Sequence, residues 1–335
     1  MDIKAREDFK IWVGVILGVF LLVVLWGILV PYSLQPLPES NYMVTKGFGY
    51  KEIGRDLEQK KIIRSAIFFN LYVLISGNHN NLQAGNYEIS PSMSVVKIAQ
   101  KIANGQVARN NIIIIEGFSV KDIGNYLESK NIGSNKDFLA IVKKDFSSQY
   151  SFLKDKPKKL NLEGYLFPDT YDVGKAPTQE ALVINMLSNF DRKLTLDLKK
   201  EIARQKKSIF EIITMASILE KEVKSINDKK IVAGILWKRI DSNMGLNVDS
   251  TINYITGKSD ASVLIKDTQI NSPYNTYKYR GLPLGPICNP GMDSILAAIY
   301  PTQSDWWYYL SATKTGETIF SKTLEEHNAS ALKYL

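Results

Sequence analysis

Between Ile11 and Val30 the chain reads IWVGVILGVFLLVVLWGILV, twenty positions without a charge. At about 1.5 Å per residue a helix of that length spans about 30 Å, the hydrocarbon thickness of a bilayer. A cleaved signal peptide has a shorter apolar region followed by a small-x-small site. Here the run ends in Trp26 and then Pro31-Tyr32, residues suited to a membrane interface. A retained transmembrane helix over 11–30 is expected, with an uncleaved signal as the alternative. Lys4, Arg6 and Lys10 precede the run, and the next basic residue is Lys46. The positive-inside rule then makes 1–10 a cytoplasmic tail and exports residues 31–335. Among the first thirty residues the bases are cancelled by Asp2, Glu7 and Asp8, so the net charge of +8 belongs to the exported part. A basic exported domain suits anionic envelope polymers or lipid headgroups, and nucleic acid is not an expected partner there. Plain solubility explains the charge nearly as well.

Composition removes much of the enzyme menu. With 45 % hydrophobic and 23 % charged residues the chain is globular, not disordered. A single cysteine, Cys288, excludes an intramolecular disulfide and a cysteine-rich zinc site. Two histidines, His79 and His327, argue against a histidine metal centre, and no G-x-S-x-G surrounds a serine. No metal or cofactor is expected.

The segment 31–40 begins PYSLQPLPE and reads as a stiff, proline-punctuated linker. An internal repeat follows. Residues 47–68 set against 117–138, at a constant offset of 70, give ten identities in twenty-two ungapped positions, among them Gly47/Gly117, Gly54/Gly124, Leu57/Leu127 and Phe68/Phe138. A weaker third copy begins at Ser94. Each copy reads as a short strand, a turn and an amphipathic helix. Ile112–Ile115 is expected as a buried strand, and Gly85-Asn86-Tyr87 as a turn into another. The expected class is α+β: a small repeat module over 41–153, then a larger domain over 160–335. The charged segment 154–159 (KDKPKK) is their boundary, or a surface loop within one domain. The repeat module loosely resembles LysM-type carbohydrate-binding units; a mere spacer is equally compatible with it.

Phe210–Lys224 (FEIITMASILEKEVK) is strongly helical, with Ser208 as N-cap and Glu211 in the capping-box position. Helices at 227–242 and 293–299, a strand at 307–311 and a closing helix from Leu324 are expected after it. At 100° per residue from Ile209, the apolar residues cover one arc and Glu220 falls about 20° from Ile209, near the middle. On the same wheel Glu222 lands on the polar rim and Lys221 faces away. A carboxyl in an apolar stripe is costly unless paired or protonated, and desolvation raises its pKa as a general acid requires. Glu220 is therefore the leading candidate for chemistry; a buried Glu220 satisfied by Arg280 or Arg239 is the structural alternative. Two loop segments offer acids and aromatics of the kind that bind sugars. One supplies Glu163, Tyr165, Phe167, Asp169 and Tyr171; the other supplies Tyr274, Asn275 and Tyr277. Taken singly, each segment is as readily a loop that packs.

At these residues the chain resembles the MltG-type (YceG-like) endolytic murein transglycosylases. The matching stretches are EGYLFPDTY (163–171), MASILEKE (215–222), NVDSTINY (247–254), SPYNTY (272–277), GLPLGPICNPG (281–291) and His327-Asn328. Leu284 stands where a second proline is common and Cys288 where a small residue is usual. The resemblance implies a single-pass protein of the bacterial inner (cell) membrane whose catalytic part, 160–335, lies outside. It also implies cleavage of MurNAc–GlcNAc β-1,4 bonds inside peptidoglycan strands, leaving 1,6-anhydroMurNAc ends and ending strand growth near synthases of the penicillin-binding-protein kind. The family's catalytic glutamate maps onto Glu220 as the single acid/base. Glu163, Asp169 and Asp249 could orient sugar, and Asn275 and Tyr277 could hold its N-acetyl group. Two rivals stay open: a non-catalytic glycan-binding scaffold for the synthases, and a hydrolase with a second essential carboxylate among Asp169, Asp249 and Glu163.

Overall fold

The computed structural model describes residues 3–106, 111–174, 177–258 and 263–335, in two compact units, Met1–Arg109 and Asn110–Leu335. The first unit opens with α1 (Ile3–Leu29), whose Lys10–Leu29 stretch has a mean hydropathy of 2.8 and is long and apolar enough to cross a membrane. Then come β1 (Ser40–Val44), α2 (Tyr50–Gln59), α3 (Ala66–Ile75), β2 (Gly85–Ile89) and α4 (Val95–Ala103). β1 and β2 pair antiparallel with Tyr42 opposite Tyr87. Their inward residues Tyr42, Val44, Tyr87 and Ile89 close a core with Ile53, Leu57, Phe69, Val73 and Ile98. The segment before β1 is not a free spacer. Ser33 N–H donates to the Pro91 carbonyl at 2.8 Å, and Ser90 Oγ to that of Leu37 at 2.8 Å.

The second unit repeats the same order: β3 (Asn111–Ile113), α5 (Val120–Ser129), α6 (Asn135–Ile141) and β4 (Thr170–Asp172), with β3 and β4 antiparallel. The sequence repeat thus sits inside a β-α-α-β unit, with both strands of each unit lying outside the aligned residues. Its glycines have one cause. A Cβ on Gly54 would lie 2.7 Å from Asn70 Oδ1, and one on Gly124 2.2 Å from Asn135 Oδ1, where the second helix crosses the first. The ungapped alignment slips by one residue at that helix. Phe69 packs on Gly54 as Phe138 packs on Gly124, leaving Phe68 outside the core.

Two expectations change here. The run Ile112–Ile115 is not buried throughout: Ile112 and Ile114 are buried while Ile113 and Ile115 are more than half exposed, because a two-stranded ribbon has only one covered face. The units also do not divide at 154–159. Phe138, Val142, Phe152 and Leu153 share one core with Leu162, Tyr165 and Leu187, so the two halves of the repeat belong to different units.

The rest of the second unit is mostly helical: α7 (Gln179–Lys193), α8 (Leu196–Arg204), α9 (Ile209–Glu222), α10 (Ile226–Asp241), α11 (Asp249–Thr256) and α12 (Met292–Ile299). A hairpin of β5 (Tyr308–Ser311) and β6 (Thr318–Ser321) and the closing α13 (Leu324–Tyr334) complete it. α9 starts with the expected capping box, Ser208 Oγ accepting from Glu211 N–H at 3.1 Å while the Glu211 carboxylate accepts from Ser208 N–H at 2.7 Å. It is the central helix, and Ile212 through Leu219 are all buried. α10 reaches the chain beyond α12 through Gly234, where a Cβ would meet the Thr302 carbonyl oxygen at 2.1 Å.

Candidate active site

A cleft of about 1880 Å³ opens in the second unit. Ligand pockets usually hold roughly 300–1,000 Å³, so this one has room for an extended ligand. The N-terminus of α5, the end of α9, Arg239 of α10, the length of α11, the loop with Tyr274 and Tyr277, strand β5 and His327-Asn328 of α13 line it.

Glu222, the last residue of α9, points into this cleft. One carboxyl oxygen accepts from Ser250 N–H at 3.3 Å and the other from Tyr309 OH at 3.0 Å. Burial pushes its pKa up, and these two donors only partly offset that. The carbonyl end of α9 acts in the same direction as burial. Arg239 is buried nearby, its guanidinium held by the carbonyls of Trp307 and Leu246 and lying 5.2 Å from the Tyr308 ring centre. His327 stacks on Tyr308 at 5.4 Å between ring centres, and burial, with the nearby Arg239 charge, lowers its pKa.

Glu163 is a second carboxyl in the cleft, 5 % exposed. Val120 N–H donates to it at 2.9 Å, Tyr254 OH at 3.2 Å and Asn289 Nδ2 at 3.3 Å. Burial still raises its pKa to about 8, so it holds its proton at neutral pH. Tyr254 in turn packs against Tyr274 at 5.0 Å between ring centres, giving an aromatic wall beside the acid. Asp249 accepts from Tyr277 OH on the same surface.

Among the expected site residues, Glu163, Asp249, Tyr274 and Tyr277 therefore meet in one cleft. The others do not. Tyr165, Phe167 and Tyr171 are core residues, Tyr165 packing on Phe152 and Phe190. Asp169 accepts from Asn189 at 2.9 Å away from the cleft. Asn275 is fully buried and staples its own loop, donating to the carbonyls of Thr268 and Ile270 and accepting from Tyr277 N–H.

Glu220 does not line the cleft. Its carboxylate pairs with Lys229 Nζ at 3.2 Å and accepts from Gly291 N–H at 3.0 Å and Ser294 Oγ at 2.6 Å. It ties α9 to α10 and to the start of α12. Its partner is thus neither expected arginine, since Arg239 holds carbonyls and Arg280 donates to Asn243 O. The helical wheel places Glu222 on the polar rim with Lys221 facing away, whereas in the fold both line the cleft. Tyr254 and Tyr309 have no place among the expected site residues, and Arg239 is expected only as a partner of Glu220. Tyr254 and Glu222 sit inside two of the quoted motifs, but periodicity gives no reason to choose them.

Residues 42–333 match the YceG-like family. The chain is 32 % identical over 319 residues to an endolytic murein transglycosylase of Bacillus subtilis, covering 92 % of this chain and 88 % of that one. It is 30 % identical to an endolytic murein transglycosylase of Streptococcus pneumoniae strain R6, spanning 58 % of that relative's length. Among solved structures, a YceG-like protein from Listeria monocytogenes aligns with a TM-score of 0.61 at 34 % identity, over 87 % of this chain and 99 % of that one.

Proposed function

The chain belongs to the YceG-like family, and from that we propose that it is a membrane-anchored endolytic murein transglycosylase with Glu222 as its single general acid/base. The observation that carries the reading is Glu222 itself: a carboxyl lining a large cleft, its pKa raised by burial in the direction a general acid needs, and oriented by Ser250 and Tyr309. The names of the two relatives support the substrate and reaction class.

Protonated Glu222 donates to the glycosidic oxygen between MurNAc and GlcNAc as the C1–O bond breaks through an oxocarbenium-like state. Its carboxylate then takes the proton from the muramoyl 6-OH, which closes on its own C1 to give the 1,6-anhydro end. Hydrolases usually add a second, ionised carboxylate to activate water or attack C1. Glu163 is poorly suited to that, being protonated to about pH 8 and filled with donors. An intramolecular nucleophile removes the need for it. Glu163, Asp249 and the Tyr254, Tyr274 and Tyr277 rings position sugar, and Glu220 joins helices. The β-α-α-β unit of residues 40–89 acts as a LysM-like glycan holder, α1 anchors the chain with its N-terminus in the cytoplasm, and cleavage ends strand elongation beside synthases of the penicillin-binding-protein kind.

The test digests purified murein sacculi with the full chain in detergent and reads the new ends by mass spectrometry. Wild type should give anhydromuramoyl ends, and Glu222→Gln should lose roughly 10²–10⁴-fold of the rate, the usual weight of a general acid. Glu220→Gln should still cleave. Reducing ends that disappear in Asp249→Asn would make the protein a hydrolase. Binding without cleavage by wild type would make it a scaffold, and loss in Glu220→Gln alone would return the acid to Glu220.

A further inference from the structure

Helix α3 (AIFFNLYVLI) has no charged residue, and two of its faces are apolar. Ala66, Phe69 and Val73 are buried in the first unit. On the other side Ile67 is 73 %, Leu74 48 % and Ile75 74 % exposed, with Phe68 and Leu71 half-buried among them. At 100° per residue those five fall within an arc of about 120°. A helix that is apolar on both sides still has one face to cover.

That face adjoins the outer end of α1. Phe68, at the edge of the arc, lies on Gly27 so closely that a Cβ there would sit 2.4 Å from its ring. Just before α3, the Arg64 guanidinium stacks 4.6 Å from the Trp26 ring centre and donates to the Pro31 carbonyl at 2.9 Å. Trp26 to Leu29 end the apolar stretch of α1, where a spanning helix meets the bilayer interface. A side chain packed against that last turn is at the same depth. Lys61 and Arg64 flank the start of the face, the pairing of basic and apolar groups found in helices that lie in an interface.

We propose that α3 is an interfacial helix whose Ile67, Leu71, Leu74 and Ile75 enter the boundary of the bilayer that α1 crosses. The inference rests on α1 being a membrane span. Lipid is the occupant because the apolar surface of α3 continues that of α1 through Phe68 and Gly27. The first unit is then seated on the membrane at two places and holds a fixed depth.

The test places a nitrobenzoxadiazole label on single new cysteines, Ile75→Cys, Leu22→Cys and Leu332→Cys, in the full chain reconstituted into phosphatidylethanolamine/phosphatidylglycerol vesicles. The native Cys288 is buried, and wild type carried through labelling gives the background. Each sample is quenched with acyl-chain nitroxide lipids and, separately, with iodide. The label at 75 should be quenched by the lipid nitroxide several-fold more than the label at 332, which is on a 93 % exposed residue, and should resist iodide. Iodide access at 75 equal to that at 332 overturns the proposal. Shielding at 75 from both quenchers overturns it too, because protein then covers the face. A label at 22 that lipid does not quench refutes the anchor itself, an outcome distinct from failure at 75.

Discussion

Replacing Glu163 by Gln removes one titrating group from the cleft and should change how the stability of the second unit depends on pH. In the folded chain burial holds the Glu163 proton to about pH 8, whereas its ordinary value is 4.5. Between those values the unfolded chain has lost the proton and the folded chain keeps it, so stability falls as pH rises through that window. At ~1.4 kcal/mol per pH unit the full difference is about 5 kcal/mol, of which about 4 kcal/mol develops between pH 5 and pH 8. In Glu163→Gln this slope should vanish. A fixed cost of about 1–3 kcal/mol should appear at all pH values, because an amide NH₂ now faces donors from Val120, Tyr254 and Asn289. The assay is urea unfolding of the full chain in detergent at pH 5 and pH 8, followed by tryptophan fluorescence, since Trp237, Trp306 and Trp307 lie in the second unit. Comparing wild type with variant cancels the contributions of Glu116, Glu222 and His327, which also titrate away from their ordinary values. Parallel pH profiles for the two proteins would refute the assignment of a protonated Glu163.

Lys229→Met leaves the Glu220 carboxylate unpaired in a site where both side chains are under 10 % exposed, and should cost about 3–5 kcal/mol in urea unfolding. Adding Glu220→Gln should recover much of that loss, and a cost below about 1 kcal/mol for Lys229→Met would deny the pair its tying role. Gly234→Ala puts a methyl against the Thr302 carbonyl and should cost about 1–3 kcal/mol, read as a drop in the melting temperature of the second unit. Ser208→Ala breaks the capping box of α9 and should cost about 1 kcal/mol, while Ser208→Asp should restore most of it.

What could be read along the chain were features fixed by near neighbours. The apolar run of α1, the capping box of α9 and the ends of α10, α12, β5 and α13 depend on spacings of a few residues, and each appears within a residue or two of its expected place. The repeat was legible because both copies need a glycine where one helix crosses the next. Its division between two units was not, because that depends on which distant apolar residues Phe138 and Phe152 meet. Asn275 and Tyr165 had the right chemistry for sugar, but only packing decides that one staples its loop and the other fills a core.

The sequence by itself determined the apolar span, the existence of the repeat and the motif series, including the Glu-Lys-Glu at the end of α9, while the β-α-α-β form of the repeat came from the fold. Tertiary structure decided which of those two glutamates faces the cleft. A helical wheel separates an inside from an outside only when a helix has one buried face, and α9 is enclosed on every side from Ile212 to Leu219. With no solvent face to set the zero of the wheel, the nearness of Glu220 to the apolar residues carried no information about the cleft. Lys229 and Ser294 take up Glu220, and Ser250 and Tyr309 turn Glu222 into the open space, through contacts from helices and a strand that lie far along the chain.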